Sequence, residues 1–424
     1  MKLKAIRNLI IILTLIVISY GTGFRMGEKN INTNLPSPIY SDGSQSDNKV
    51  NIDLSLFWDV WGRLNRFYID KKAIDPQKMV YGAISGMVAS LGDPYTVFLP
   101  PSQNKDAKDD LGGKFEGIGV QLCIKDKKIV VVAPLKGTPA EKAGIKAGDT
   151  ILKVDGKEVY NLPLPEVVAK IRGTKGSSVN LTVYRNESSS SADFKVNRDT
   201  INVASVEEED LSVKCTNNAC EKSKETCTTC DKIFYLKLSR FGDHTNDEWE
   251  KTVATIVEKY NQNSGKYKGL IFDLRNNPGG YLSGSVFIAS EFLKDGTVVI
   301  QDSVKTGKST YTVDRKGKLL EIPMVVLINR GTASASEIVA GALSERGRAK
   351  LVGEVSFGKG SVQEAQDLTG GSGIHITIAK WLLPSGKWIH TVGVDPDFKV
   401  VNDENNPDSD AQLNKAIELL MKNK

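Results

Sequence analysis

The stretch MVVLINRGTASASEIVAGAL, residues 324–343, decides the fold. Its first part, MVVLIN (324–329), is a short, continuously apolar run of the kind found in a buried parallel sheet. The run ends in small residues and passes directly into SEIVAGALSERG (336–347), which has helical periodicity. A serine at such a junction, here Ser334, lies at the edge of a sheet, and the N–H groups after it point towards any developing negative charge. Ser334 is therefore a candidate nucleophile; the simpler alternative is that Ser334 and Ser336 only cap the helix.

A second apolar run opens into a glycine turn. KGLIFDL (268–274) also reads as a buried parallel strand, and Asn276-Asn277-Pro278-Gly279-Gly280 follows it closely. Free backbone amides in such a turn can supply half of an oxyanion hole, the N–H donors that stabilise the negative oxygen of an acyl-transfer intermediate. As a plain tight turn, the segment would need no further explanation.

A single lysine between two glycines is the third candidate. The segment Phe357-Gly358-Lys359-Gly360-Ser361-Val362-Gln363 places Lys359 and Gln363 four positions apart, so they share a face in either a helix or a strand. A lysine can act as a general base only where burial lowers its pKa towards neutrality, and a nearby amide can orient its amine. The alternative is a surface turn with a solvated lysine.

The bulk composition bounds the function classes. At 424 residues the chain is too long for one ordinary core, so two to four domains are expected. The net charge of +5, from 56 basic and 51 acidic residues, is mild and comes without a dense basic run, which argues against a nucleic acid partner. Only three histidines are present, so His-based catalysis and a His-rich metal site are disfavoured.

The N-terminus has the charge order of an export signal or a membrane anchor. Lys2, Lys4 and Arg7 precede the uncharged stretch 8–24. This stretch lies at the short edge of what can span a bilayer, and no clear Ala-x-Ala cleavage site follows it. A retained anchor, a cleaved signal peptide and a plain buried helix are the three interpretations; the first two place the catalytic part outside the cytoplasm. Residues 25–50 are polar and read as a flexible tether.

Two further units lie before residue 186, N-terminal to the part of the chain in which strands and helices alternate. Residues 52–92 show apolar residues at helical spacing and predict an N-terminal helical segment. Residues 112–185 predict strands around two short helices. The markers of this unit are the strands FEGIGVQL, KIVVVAPL and VNLTVYR, an N-cap Thr138 with Pro139 and a terminating Gly144, the hairpin turn Asp155-Gly156, and the amphipathic helix Pro165–Arg172.

Together these segments resemble the C-terminal processing peptidases, also called tail-specific proteases. The resemblance runs through most of the chain from about residue 52, and several motifs occur in the same order. They are FEGIGVQL, GTPAEKAGIKAGDTILKVDGK, LIFDLRNNPGG, GTASASEIVAGAL, GKGSVQ and ITIAKWLLPSGKWI with GVDPD after it.

The resemblance assigns roles to the candidates. It implies that Ser334 is the nucleophile, that Lys359 is its base, and that Gln363 supports the lysine. The oxyanion hole is expected from backbone N–H groups of the Pro-Gly-Gly turn, Gly280 first and Gly279 as the alternative, and from that of Ala335. Ser336 returns to a helix-capping role. Neither metal nor organic cofactor is implied for catalysis, and self-association is an expectation from the resemblance alone.

The unit at 112–185 resembles the family's PDZ domain. Gly117, Ile118, Gly119 and Val120 lie where a PDZ domain binds a terminal carboxylate with loop amides, and the peptide then adds as a strand to an open sheet edge. Apolar terminal residues should be preferred, because Ile118 and Val120 offer no charge. A structural alternative is that the glycines only allow a tight turn.

One segment departs from the family pattern. Residues 207–232 contain four cysteines, Cys215, Cys220, Cys227 and Cys230. Outside the cytoplasm they predict two disulfides, with three pairings open, and zinc binding is the alternative. Cys123 is left unpaired, as a small buried hydrophobe in its strand.

The sequence therefore predicts a multidomain α/β chain with a mixed sheet in its protease core. The predicted order is an anchor or signal at 1–24, a polar linker at 25–50, a helical segment at 51–110, a PDZ domain at 111–186 and the Ser–Lys protease core at 187–424. The expected function is a serine endopeptidase that recognises apolar C-terminal tails. The expected location is extracytoplasmic, anchored by residues 8–24 or secreted after cleavage.

Two rival functions remain. The first is a catalytically silent peptide-binding scaffold built on the same PDZ domain and core; intact Ser334, Lys359 and Gln363 argue against it. The second is a Ser–His–Asp hydrolase. Against this, His375 and His390 lie in strand-like segments, and no Gly-x-Ser-x-Gly elbow surrounds Ser334.

Overall fold

The computed structural model describes residues 52–422, apart from the gaps at 126–127, 136, 161, 163, 186–189, 217–218, 224–229, 264 and 404–408. The predicted anchor and linker lie outside the described residues. Within the described ranges, no helix has both the length and the apolar character needed to span a bilayer.

Residues 52–75 form a unit of their own. It contains helix α1 (Ser55–Phe67) and a 3-10 turn at Lys71–Ala73. The predicted helical character of this region is confirmed. None of the residues of α1 is buried.

Residues 76–424 form the second compact unit. Its helices are α2 (Pro76–Ala89), α3 (Pro101–Leu111), α4 (Pro139–Lys142), α5 (Leu164–Ile171), α6 (Thr245–Gln262), α7 (Leu282–Ala289), α8 (Ala335–Glu345) and α9 (Ala411–Lys422). Its strands up to residue 202 are β1 (Val97–Leu99), β2 (Lys114–Gly117), β3 (Val120–Lys125), β4 (Lys128–Pro134), β5 (Thr150–Val154), β6 (Lys157–Glu158), β7 (Ser178–Arg185), β8 (Ser190–Asn197) and β9 (Asp199–Asn202). The later strands are β10 (Val206–Thr216), β11 (Ala219–Lys222), β12 (Asp231–Leu238), β13 (Tyr267–Asp273), β14 (Thr297–Ser303), β15 (Gly307–Thr312), β16 (Met324–Ile328), β17 (Lys350–Gly353), β18 (Ser361–Asp367), β19 (Gly373–Leu382) and β20 (Phe398–Lys399).

A seven-stranded sheet in the order β11-β10-β12-β13-β16-β17-β20 carries the core. The neighbours β12, β13, β16, β17 and β20 pair in parallel, while β10 pairs antiparallel with β11 and β12, so the sheet is mixed, as predicted. Both faces are buried: Phe272 packs in the cluster that contains residues of α6, α7 and α8, and Ile271 packs in the cluster that contains residues of α9. This two-sided burial explains the continuously apolar runs at 268–274 and 324–329.

A separate sheet forms the 112–185 unit, in the order β3-β4-β5-β7-β8 with β6 paired to β5. The hairpin turn at Asp155-Gly156 is confirmed, since both residues have positive φ, +49° and +74°. The FEGIGVQL segment, however, is not one strand: β2 and β3 are interrupted by Gly119, at φ +75°. The sheet also continues beyond the predicted boundary at 186, because β8 pairs with the whole of β7.

A third sheet supplies one wall of the candidate site. Its strand order is β1-β19-β14-β15, and β18 pairs with β19. The β18–β19 register shifts between Val362 and Gln363, a bulge just after the Gly-Lys-Gly segment. The segment that precedes the PDZ-like unit reaches this sheet through β1, where Val97 pairs with His375.

The cysteine insertion extends the edge of the seven-stranded sheet. Cys215 and Cys220 face each other on β10 and β11 and form a disulfide. Cys230 is also disulfide-bonded, and Cys227 lies outside the described residues. Cys123 is a half-buried free thiol in β3. Among the described residues, no group of three or more His, Cys, Asp or Glu side chains is arranged to hold a metal ion.

Candidate active site

The turn between β16 and α8 holds Ser334 in a strained conformation. Ser334 has φ +56° and ψ −118°, a region that non-glycine residues rarely occupy and that costs about 1–3 kcal/mol. It is the N-cap residue of α8, whose first residue is Ala335. The first N–H groups of a helix have no intrahelical acceptor, so this position faces free donors.

Ser336 does not cap the helix, and that prediction was wrong. Its buried Oγ lies 2.8 Å from the carbonyl oxygen of Asn277 and 2.7 Å from that of Ala333, and it accepts a hydrogen bond from the Ala333 N–H. The physical reason is that the helix starts two positions earlier than the cap assignment requires, with Ser334 as the N-cap residue. Ser336 instead fixes the Ser334 turn to the Asn-Pro-Gly-Gly segment.

The Asn-Pro-Gly-Gly turn packs directly against the elbow. A Cβ on Gly279 would lie 2.8 Å from the Cβ of Ser334, so only glycine permits this approach. The Gly279 N–H already donates to Asn277 Oδ1 at 2.9 Å. Within the described chain, neither the Gly280 N–H nor the Ala335 N–H has a backbone or side-chain acceptor. The two predicted oxyanion donors are thus free, and Gly279 is not.

Lys359 enters the same pocket from the other side. Burial lowers the pKa of its amine, while the negative charges of Asp93 and Glu337 act in the opposite direction. Its Nζ lies 5.1 Å from the centroid of the Tyr95 ring. No hydrogen bond joins Lys359 Nζ to Ser334 Oγ in the structure. Hydrogen bonds of this kind are often long before substrate binds.

The carboxylate of Glu337 joins the two segments that carry the candidate residues Ser334 and Lys359. Glu337 lies on the first turn of α8 and is fully buried. Its Oε2 accepts the N–H of Ser334 at 2.8 Å and that of Lys359 at 2.9 Å. Its Oε1 accepts the N–H of Gly358 at 2.6 Å and the hydroxyl of Ser356 at 2.5 Å. One side chain therefore sets the spacing between the Ser334 turn and the Gly-Lys-Gly segment.

Gln363 lines the pocket, but its side chain makes no hydrogen bond to the amine of Lys359. Its side-chain amide donates to Ser361 Oγ at 2.9 Å and to Thr377 Oγ1 at 3.1 Å. His375 on β19 lines the same pocket, and burial, with a smaller contribution from Lys359, lowers the pKa of its imidazole. Neither Ser334 nor Lys359 is hydrogen-bonded to a histidine side chain, which disfavours the Ser–His–Asp alternative.

The pocket between these segments has a volume of about 270 Å³. Its lining combines the polar candidates with apolar side chains. The lining residues are Leu111, Pro278, Gly280, Tyr281, Leu282, Ser334, Ala335, Ile338, Lys359, Ser361, Val362, Gln363, Ala365, His375 and Trp381. A hydroxyl, a partly desolvated amine and two free amides in one apolar pocket can perform nucleophilic acyl transfer.

A second cavity, of about 380 Å³, lies at the predicted carboxylate loop. Gly117, Ile118, Gly119 and Val120 all line it, together with apolar side chains such as Leu122. The Ile118 side chain is buried in the core of its own sheet, so the loop contributes backbone rather than this side chain. Thr138 is the N-cap residue of α4, as predicted, although its hydroxyl makes no cap hydrogen bond; its Oγ1 lies 2.6 Å from the Leu135 carbonyl oxygen and 3.0 Å from that of Gly119.

Sequence reasoning missed Glu337, Asp93 and Tyr95. A local signal for Glu337 was present, since Ser334-Ala-Ser-Glu337 has the Ser-x-x-Glu spacing of a capping box. No such signal marks Tyr95, because the Asp93-Pro94 pair indicates only the end of a helix.

Comparisons with known proteins assign successive parts of the chain to one kind of protease. The model of peptidase family S41 matches residues 232–400, a PDZ domain model matches 130–185, and a model described as the activating protease CtpB N-terminal domain matches 25–102. The carboxy-terminal processing protease CtpA of Bacillus subtilis (strain 168) is 36% identical over 390 residues, covering 92% of this chain and 76% of CtpA. CtpB of the same organism is 33% identical over 380 residues, covering 90% and 74%.

Solved structures give the same result. The photosystem II D1 C-terminal processing protease is 30% identical, with a TM-score of 0.50, over 86% of this chain and 96% of its own. A putative S41 protease of Bacteroides fragilis NCTC 9343, 14% identical with a TM-score of 0.56, shares the fold over 90% of this chain and 100% of its own.

Fold and relatives together define a serine-type endopeptidase. The chain belongs to peptidase family S41, among the PDZ-containing carboxy-terminal processing proteases. The predicted fold class, an N-terminal region followed by a PDZ domain and an α/β protease core, is confirmed.

Glu337→Gln should lower kcat/KM by about 100-fold, since displacement of a catalytic group by about 1 Å is enough for such a loss. The new NH₂ group would face N–H donors that the carboxylate now accepts, and so push the two segments apart. Peptide cleavage and thermal unfolding measure the effect. Glu345→Gln is the matched control at the other end of α8, because its carboxylate contacts Ser385 at the surface. Near-wild-type cleavage by Glu337→Gln would contradict the assigned role.

Proposed function

We propose that this protease cleaves proteins selected by their C-terminal tails, through a Ser334–Lys359 acyl-enzyme mechanism. The observation that carries the proposal is the shared pocket, in which Ser334, Lys359 and the free N–H groups of Gly280 and Ala335 converge. Family membership establishes proteolysis, and the proposal assigns its chemical steps to particular groups of this chain.

The neutral amine of Lys359 starts the reaction. Lys359 takes the hydroxyl proton as Ser334 Oγ bonds to the scissile carbonyl carbon, and the oxyanion accepts hydrogen bonds from the Gly280 and Ala335 N–H groups. The resulting ammonium returns the proton to the leaving amine when the peptide C–N bond breaks. Water then attacks the ester, again giving a proton to Lys359, and Ser334 Oγ leaves with that proton. Because the base must be neutral, the rate should rise with pH through the lowered pKa of Lys359.

Ser334→Ala should abolish cleavage and leave the fold and tail binding intact, because it removes one oxygen from a turn of small residues. Ser336→Ala should instead cost about 0.5–1.5 kcal/mol of stability, because it removes the buried hydrogen bonds of the hydroxyl, while the Ala333 N–H and the Asn277 carbonyl stay bonded to each other. Peptide cleavage and thermal unfolding of both variants separate the two roles. An active Ser334→Ala together with a stable, inactive Ser336→Ala would reverse the assignment; two fully active variants would refute it.

Tail selection is assigned to the cavity at Gly117–Val120. The Ile118 and Gly119 N–H groups have no backbone acceptor in the described chain and suit a terminal carboxylate. The apolar side chains of Leu122, Leu135 and Val168 line the cavity and suit an apolar last residue. A substrate chain bound here by its end presents its upstream part for cleavage.

Amidating the C-terminus of a substrate should slow its cleavage, mainly through a higher KM, because the anion is lost while the size hardly changes. Gly119→Ala should remove this discrimination, since its Cβ would lie 2.4 Å from the Cβ of Thr138 and displace the loop. Gly137→Ala is the matched control: its φ of +78° is equally strained, but nothing lies within 4 Å of its Cβ. The measurement is kcat/KM for one peptide as free acid and as amide. Equal values with the intact enzyme would exclude carboxylate recognition.

The proposal also places the catalytic part outside the cytoplasm. Basic residues before the uncharged stretch 8–24 support export or anchoring. The Cys215–Cys220 disulfide supports an oxidising compartment. Self-association is part of the proposal only through the family resemblance.

A further inference from the structure

The side chain of Lys359 ends over an aromatic ring rather than at the serine. Its Nζ lies 5.1 Å from the centroid of Tyr95. Among the described residues, no oxygen accepts a hydrogen bond from this Nζ and no carboxylate lies within ion-pair distance of it. An ammonium over the face of a ring at this distance is attracted by the ring's negative quadrupole, and a neutral amine is not.

Tyr95 is held in place by the turn that precedes β1. The Asp93 carboxylate accepts the Tyr95 N–H at 3.0 Å and the Thr96 hydroxyl at 2.6 Å. Thr96 Oγ1 in turn accepts the N–H of Thr377 on β19 at 3.0 Å. Burial alone would raise the pKa of Asp93, but hydrogen bonds led by that from Thr377 keep it below its usual value, so the carboxylate stays charged.

The backbone next to Lys359 is hydrogen-bonded to aromatic side chains that pack against Tyr95. His390 meets the Tyr95 ring edge-on, with centroids 6.0 Å apart, and its Nδ1 accepts the Gly360 N–H at 3.3 Å. Trp388 stacks on His390 and donates its Nε1–H to the Gly360 carbonyl at 2.8 Å. The position of the ring is therefore tied to the loop that carries the lysine.

We propose that Tyr95 is a positioning residue that holds the Lys359 side chain in a resting position away from Ser334 and releases it when the amine loses its proton. The inference rests on the proposed Ser334–Lys359 mechanism and adds a residue from the segment before the PDZ domain. A ring that attracts only the charged form makes the lysine a switch: the ammonium rests on Tyr95, and the neutral amine is free to reach the hydroxyl.

The groups that face Lys359 shift the pKa of its amine in different directions. Burial lowers its pKa, and the carboxylates of Asp93 and Glu337 raise it. Burial, with a smaller contribution from Lys359, lowers the pKa of the His375 imidazole and favours its neutral form. The Tyr95 ring favours the ammonium without carrying a charge. Removing the ring while leaving both carboxylates should therefore lower the pKa of the base.

The test is the pH dependence of kcat/KM for a long quenched fluorescent peptide that ends in Ile-Val with a free carboxylate. In Tyr95→Leu the rising limb should move to lower pH by about half to one unit, the worth of one partly buried cation–π contact. Tyr95→Phe keeps the ring and should keep the wild-type midpoint. Tyr81→Leu is the matched control, because Tyr81 is also a half-buried ring, packed on Phe98 instead of Lys359.

Thermal unfolding separates folding from positioning. If Tyr95→Leu does not fold, Tyr95→Met is the second ring-less variant, with the same expected shift. A wild-type midpoint in the folded ring-less variant, or an equal shift in Tyr95→Phe, would overturn the role of Tyr95. Lys359→Ala in the same assay tests the underlying mechanism: if it stays active, the proposed function fails, whereas an inactive Lys359→Ala beside an unshifted Tyr95→Leu removes only the inference.

Discussion

The active site depends on one buried carboxylate. Glu337 accepts four hydrogen bonds, two from the Gly358-Lys359 backbone, one from Ser356 and one from the strained Ser334. An isolated carboxylate would be very costly to bury, but four donors and the positive end of α8 offset that cost. Because the same side chain binds both segments, it couples the position of the proposed nucleophile to that of the proposed base. The strained backbone at Ser334 persists because its surroundings fix it from several sides.

Opposing effects act on the protonation of Lys359, the proposed base. Burial favours the neutral amine that the proposed mechanism needs, whereas two carboxylates and the ring of Tyr95 favour the ammonium. Without those counter-effects, burial would lower the pKa of the amine further, and the side chain would be held less firmly before substrate arrives. If the carboxylates and the ring favoured the ammonium more strongly, the lysine would rarely act as a base at neutral pH. In the proposed mechanism, the segment around Tyr95 thus contributes to a catalytic centre that lies mostly in the C-terminal core.

The parts of the site that the sequence predicted are those that follow from local patterns. The β16–Ser334–α8 elbow comes from an apolar run of strand length followed by helical periodicity, and the free donors at Gly280 and Ala335 come from a glycine turn and a helix start. The missed parts depend on contacts between distant segments. The Ser336 hydroxyl bonds to Asn277, 59 positions earlier. A bulge lies beside Gln363, and its side-chain amide bonds to Thr377. The four-residue spacing between Lys359 and Gln363 gives no sign of this partner. The extent of the PDZ sheet was misjudged because β8 is polar and pairs with β7 by backbone bonds.

The most direct measurement of the central claim compares Lys359→Arg with the wild type across the pH range, by peptide cleavage. Arginine keeps the positive charge beside Tyr95, Asp93 and Glu337, but its guanidinium keeps its proton at every usable pH and cannot accept the proton of Ser334. The account predicts a folded protein without cleavage activity at any pH. Robust cleavage by Lys359→Arg, rising with pH as in the wild type, would contradict it.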